Sequence, residues 1–320
     1  MKCLMSSPDP FVFAGEAGFG VYWVIPLEKR SYLFFQNFEF ILKQKTTIRK
    51  EIPLSGIGIH TGKKVDILLK PSPSGQIVFR RTDLNDLELP LDPGTVKTKN
   101  STCLESKGCR IQTLEHLLAV LYIFGIDSLI VELNGEEIPI MDGSAAPFAL
   151  AVQDAGLQPL PEQKKLVKIL KPFKLEEEGA SVSFAPDVAF RITYCIEYDH
   201  PLIQRQELTL ALNPESFVTE IAPSRTFGFL KDVPSLRAQD LALGGSLENA
   251  VVFDDKGSVS GPLRFPDECV RHKILDLIGD LSLLGSPVVG HFNAHKAGHR
   301  LHLKAVRFLL HNPEYAEAIP

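Results

Sequence analysis

The sequence predicts an α+β fold built as two halves, and three observations lead there. Each half runs strands first and helices after, which favours layered α+β packing over a parallel doubly wound sheet. The 320 residues suffice for two domains of ordinary size. A polar stretch with two prolines, "LQPLPEQKK" at 157–165, reads as a linker between them. The expected units are an N-terminal extension over 1–45, a first α+β domain over 46–160 and a second over 161–320. An irregular, Gly-rich section occupies about 227–263 of the second.

The elements follow in order. "EIPLSGIGIHTGKKVDILLKP" (51–71) is strand-like with a turn punctuated by Gly56, Gly58 and Gly62, and "GQIVFRRTDL" (75–84) is another strand. "RIQTLEHLLAVLYIFG" (110–125) reads as a helix with an apolar stripe of Leu114, Leu117, Leu118 and Leu121, a Thr113 cap and a stop at Gly125. "DSLIVELNG" is a buried strand, and "SAAPFALAVQDAG" a helix ending at Gly156. Beyond the linker come the strands "LVKILKPFKLEE", "ASVSFAP", "FRITYCIEY" and "QELTLAL". A helix over 267–285, the strand "PVVGHFNAHKAG" and a last helix from about His299 complete the chain. The letters carry no clear internal repeat.

Composition narrows the function classes. With 44% hydrophobic and 23% charged residues and a net charge of −5, there is no basic excess for nucleic acid. Five scattered cysteines form no CxxC pair, so a disulfide framework and a cysteine metal site are not expected, and a reducing compartment fits. The aromatic-rich first 45 residues are broken by charges, short of the roughly 20 apolar residues a membrane helix needs. They match neither a secretory signal nor a transit peptide. A disordered arm, a membrane-touching segment and a mis-assigned start codon all remain open for them.

The helix at 267–285 poses the functional question. His272, Asp276 and Asp280 recur at steps of four, so they share one face. A charge lane on an amphipathic helix is commonly a solvated surface. Two details favour cover instead. Leu275 and Leu283 border the lane, and Gly279 sits in the helix interior, where glycine costs about 1 kcal/mol against alanine. Something close by is expected to require the missing side chain. Buried imidazoles and carboxylates need partners or a metal.

Other polar groups could converge on it. Glu115 and His116 open the 114–124 helix, and as neighbours they can serve one site as base and ligand. They do not form an HExxH motif, because position 119 is alanine. His291, His295, His299 and His302 lie close in sequence, with His299 presented after Gly298. The glycine turn around His60 lacks the spacing of a phosphate-binding loop. A catalytic zinc takes three protein ligands and leaves a water position. His272 and Asp276 supply two, and His116 is the best candidate for the third.

Seven stretches resemble one known family. They are "GIGIHTGKKV" (56–65), "TLEHLLA" (113–119), "EIPIMDGSAAPF" (137–148), "SRTFGF" (224–229), "LGGSLENAVV" (243–252), "LRFPDECVRHKILDLIGDL" (263–281) and "KAGH" (296–299). In this order they resemble the UDP-3-O-acyl-N-acetylglucosamine deacetylases, zinc enzymes of bacterial lipid A synthesis, from about Thr46 onward. The resemblance implies two similar layered sandwiches facing each other across the active site, with 227–263 as an insert. It implies Zn2+ on His116, His272 and Asp276, with Glu115 as general base. His299 would be an imidazolium held charged by Asp280, Thr226 a donor to the tetrahedral oxygen, and Lys273 a support for the site. For the substrate it implies Lys296 at the diphosphate, Tyr198 at uracil, and Phe227, Phe229, Ala242, Gly245 and Leu247 around the acyl chain. Ser101 takes the place of one family cysteine. The protein implied is a cytoplasmic, monomeric hydrolase acting on an acylated UDP-sugar, with no nucleic acid partner and no stable membrane span. The rival readings are a zinc amidohydrolase of another N-acetyl sugar and a non-enzymatic relative with a structural metal.

Overall fold

The computed structural model describes residues 43–98 and 101–319. The expected extension over 1–45 therefore falls almost wholly outside the described residues. The first half runs β1 (Gln44–Ile48), β2 (Ile52–Ile57), β3 (Lys64–Pro71), β4 (Ile77–Arg81), β5 (Leu87–Pro90), β6 (Val96–Thr98), β7 (Thr102–Ser106), β8 (Cys109–Ile111), α1 (Glu115–Ile123), β9 (Leu129–Leu133), α2 (Ala146–Ala155) and β10 (Leu157–Gln163). Its main sheet has the order β2-β3-β9-β4-β5, and β6-β7-β8 form a smaller one. Period-two alternation puts Val65, Ile67 and Leu69 of β3 and Leu129, Val131 and Leu133 of β9 inside.

The second half runs β11 (Leu166–Ile169), β12 (Phe173–Glu177), β13 (Ala180–Ala185), β14 (Phe190–Tyr198), β15 (Gln204–Ala211), β16 (Phe227–Phe229), β17 (Val251–Phe253), α3 (Glu268–Leu281), β18 (Val288–His295), α4 (His299–His311) and β19 (Ala316–Ile319). Strand β18 organises its sheet, antiparallel to β13 and parallel to β14 and β11. Helix α3 packs on α1, on α4 and on the β14–β15 hairpin. The buried apolar side chains form one continuous cluster from Ile48 to Leu309. Mixed strands and helices in layers match the α+β expectation.

The meeting of α1 with α3 sets the site. A Cβ on Gly279 would lie 2.2 Å from the Glu115 carbonyl oxygen and 2.8 Å from its Cα. The glycine is what lets the two backbones come this close. The charge lane of α3 is accordingly buried, and the solvated-face alternative is overturned.

Other expectations need correction. Residues 157–163 are not a loose linker but strand β10, antiparallel to β1 with Ile48 opposite Leu157 and Thr46 opposite Pro159. Proline is tolerated there because each strand of a two-stranded ribbon has an open edge. Thr113 does not cap α1: the N-cap is Leu114, and the Thr113 hydroxyl donates to Glu137 Oε1 at 2.9 Å. The strands β5, β6, β8 and β19, of three or four residues each, are too short to show a period, and the burial of β7 does not alternate.

Candidate active site

Helix α3 brings His272 and Asp276 to one point, and α1 brings His116 to the same point. His272 Nε2 lies 3.5 Å from Asp276 Oδ1, and His116 Nε2 lies 3.9 Å from that oxygen. The two imidazoles meet edge to face, with centroids 5.0 Å apart. The tautomer of His272 is fixed from behind. Its Nδ1 faces the Ser224 carbonyl at 3.1 Å, and a carbonyl only accepts. The proton is therefore on Nδ1, and Nε2 turns a lone pair toward Asp276. Lys273 Nζ donates to Asp276 Oδ2 at 2.7 Å and leaves Oδ1 free.

The electrostatics set the charge of each of the three groups. Burial, with His272 beside it, drives the His116 pKa down to about 3, and burial also lowers that of His272. Burial alone would raise Asp276, but Lys273 and the nearby imidazoles hold it well below the usual carboxylate range. Two imidazoles held neutral by burial and an ionised carboxylate, the His272 lone pair among them, thus face one point, a donor set suited to a cation. The ligand atoms of His116, His272 and Asp276 all lie within 4.8 Å of one another, near enough for one ion to be shared among them. These three residues could hold a metal ion. His116 Nδ1 is buried with no hydrogen-bond partner among the described residues.

Two further groups face the same space. Glu115 Oε2 accepts from the Thr102 backbone N–H at 3.0 Å, while Oε1 lies 3.8 Å from His299 Nε2. Burial pushes Glu115 up to about 7, against the pull of His299. His299 opens α4, and its Nδ1 donates to Asp280 Oδ2 at 2.7 Å. Burial alone would lower His299, but the Asp280 charge and hydrogen bond carry it to about 10. A carboxyl poised near neutrality and an imidazolium therefore stand side by side, a pair whose protonation suits proton transfer.

The candidates for substrate contact lie on the second half. Tyr198 packs against Phe227 and Phe229, each at 5.6 Å between centroids. The ring offered to uracil is thus in the same aromatic cluster as two offered to the acyl chain. Lys273 Nζ lies 6.0 Å from the Phe227 ring. Gly245 N donates to the Ala242 carbonyl in a tight turn, and Leu247 is exposed nearby in the chain. Lys296 Nζ is half-exposed and donates to Glu197 Oε2 at 3.0 Å. The Thr226 backbone is pinned at both ends: its N–H donates to Gly143 O and its carbonyl accepts from Val251 N, each at 2.8 Å.

A family profile described as LpxC, UDP-3-O-acyl N-acetylglycosamine deacetylase, matches residues 45–311. The chain belongs to this deacetylase family. A protein of Thermodesulfovibrio yellowstonii named UDP-3-O-acyl-N-acetylglucosamine deacetylase is 48% identical over 265 residues, which cover 82% of this chain and 91% of its own length. A Myxococcus xanthus protein of the same name is 47% identical over 86% of this chain and 88% of its own. One from Neisseria meningitidis serogroup C, also so named, is 43% identical over 82% of this chain and 89% of its own.

The family's motifs also shape the site from further out. Glu137 grips the glycine turn, accepting from His60 N–H, Thr61 N–H and the Thr61 hydroxyl. Gly143 adopts φ +89°, and a Cβ there would meet the Asn249 carbonyl at 2.2 Å. These contacts tie "EIPIMDGSAAPF" of this deacetylase-family chain to "GIGIHTGKKV" and "LGGSLENAVV". Sequence reasoning missed Thr102, the donor that touches both Glu115 and Asp280, and it left His302 in a general histidine tract. The one available signal for His302 was its position three residues after His299, on the same helical face.

Proposed function

We propose that this chain removes the N-acetyl group from a UDP-3-O-acyl-N-acetylglucosamine, releasing acetate, as a zinc hydrolase of lipid A synthesis. The observation that carries the reading is the convergence of His116, His272 and Asp276 beside a poised Glu115 and a charged His299. Zinc suits this donor set of two imidazoles and one carboxylate. When bound, it supplies Lewis-acid polarisation of the acetamide carbonyl and acidifies a water molecule.

The protein's own residues do the rest. Glu115 takes the proton from the attacking water. His299, held protonated by Asp280, stabilises the developing oxyanion and gives its proton to the departing amine. The Thr226 hydroxyl donates to the tetrahedral oxygen. Lys273 orients Asp276 and reaches toward the polar groups of the sugar. Lys296 meets the diphosphate, and Tyr198 adds an aromatic surface at the nucleotide end. Phe227, Phe229, Ala242, Gly245 and Leu247 of the 227–263 insert enclose the acyl chain.

The reading divides the chain into domains 46–160 and 161–320, with the reaction at their junction. It places the protein in the cytoplasm as a monomer. The four described cysteines are free, which suits a reducing compartment. The test is turnover of the acylated UDP-sugar by full-length, zinc-loaded protein. Acetate should appear, and shortening the acyl chain should sharply reduce the rate. Turnover indifferent to the chain would point instead to another N-acetyl sugar. Bound zinc without turnover would point to a non-enzymatic relative.

A further inference from the structure

Asp280 accepts more hydrogen bonds than one partner requires. His299 Nδ1 donates to Oδ2 at 2.7 Å, and His302 Nδ1 donates to the same oxygen at 2.8 Å. The Thr102 hydroxyl donates to Oδ1 at 2.5 Å. Thr102 and His302 are fully buried. The donors come from separate places: His302 lies one turn along α4 from His299, and Thr102 begins β7. Thr102 also gives its backbone N–H to Glu115 Oε2. One residue therefore touches both the carboxylate beside the histidine and the candidate base.

His302 is itself held. Its Nε2 lies 3.1 Å from the Tyr194 hydroxyl, which also lies 2.8 Å from the Ala297 carbonyl. Because a carboxylate only accepts, the proton facing Asp280 is on Nδ1. A carboxylate with a single donor can swing about its Cβ–Cγ bond. Two donors from α4 on Oδ2 and one from β7 on Oδ1 engage both oxygens, which fixes the carboxylate plane and with it the imidazole it holds.

We infer that Thr102 and His302 are positioning residues that lock the Asp280 carboxylate, and with it the His299 ring, whose Nδ1 the Thr102 hydroxyl also meets at 3.2 Å, relative to Glu115. The kinetic side of this rests on the proposed deacetylase reading. The test uses full-length, zinc-loaded protein carrying Thr102→Val or His302→Leu, each against a rescue. Thr102→Ser restores the hydroxyl, and His302→Asn restores a side-chain N–H near the place of Nδ1. Outer hydrogen bonds that orient metal-ligating side chains cost about 10–100-fold in activity when lost, and the same scale is expected for a histidine held beside the ligand set. Both disruptive variants should therefore lose kcat by about tenfold or more, with KM and zinc content little changed, while the rescues recover most of it. If His302→Leu does not fold, the near-isosteric Thr102→Val decides.

Proton NMR of histidine-labelled protein gives a readout without turnover. The parent should show two strongly deshielded imidazole N–H signals, one for each histidine on Asp280. His302→Leu should remove one and broaden the other. Parent-like kcat in Thr102→Val, or rescues no better than the disruptive variants, would overturn the positioning role. Both signals in a parent protein that releases no acetate would overturn the deacetylase reading and leave the positioning intact.

Discussion

At the residue scale, each polar group of the site has a state set by what stands next to it. Glu115 is poised for proton transfer by burial and sits off the ligand set. Glu115→Ala should therefore keep one bound zinc and lose about 100-fold or more in kcat, checked by metal analysis beside the assay. The pH profile follows from the two neighbours. Turnover should rise as Glu115 ionises near pH 7 and fall as His299 deprotonates toward pH 10. A bound cation pulls both limbs lower. Asp280 gives a stability prediction with a defined sign. Its folded pKa, about 2, lies below the ordinary 3.8, because His299 and His302 more than offset burial. Its contribution is fully present above about pH 4 and is lost as pH falls through about 2. Urea unfolding of Asp280→Asn against the parent should therefore show a gap that narrows in acid.

At the element scale, the α1–α3 contact governs the geometry. Gly279→Ala raises helix propensity by about 1 kcal/mol, but it also drives a methyl into the Glu115 backbone. Overpacking of this kind costs about 1–3 kcal/mol, and here the obstacle is backbone that cannot turn aside. The packing term should win. The variant should unfold earlier and bind zinc more weakly, because His116 moves away from His272 and Asp276. A gain in thermal midpoint would contradict this. The same element shows what the letters could tell. Steps of four gave the lane, and the cost of an interior glycine gave the hidden neighbour. Which helix that neighbour belonged to could not be read, since nothing local couples residue 115 to residue 279. Thr102 was illegible for a related reason: its backbone N–H and its hydroxyl acquire their roles only through partners 13 and 178 residues away, respectively. The β10 strand was misread because its prolines report the local backbone and not the partner strand.

At the scale of the whole molecule, the candidate ion site joins the halves: His116 comes from one, His272 and Asp276 from the other. Ligands that bind only the folded state stabilise it. Chelation should therefore lower the thermal midpoint, and re-addition of zinc should restore it. Because the buried core runs unbroken through both halves, calorimetry of the metal-loaded chain should give one transition. Two well-separated transitions would show that the halves unfold independently. The pairing of β1 with β10 has a consequence of its own. It sets Gln44 opposite Gln163, so the chain enters and leaves the first half side by side. The two ends of that half are therefore fastened together by backbone, and a short bridge could join them without stretching anything inside, although its core still leans on the other half.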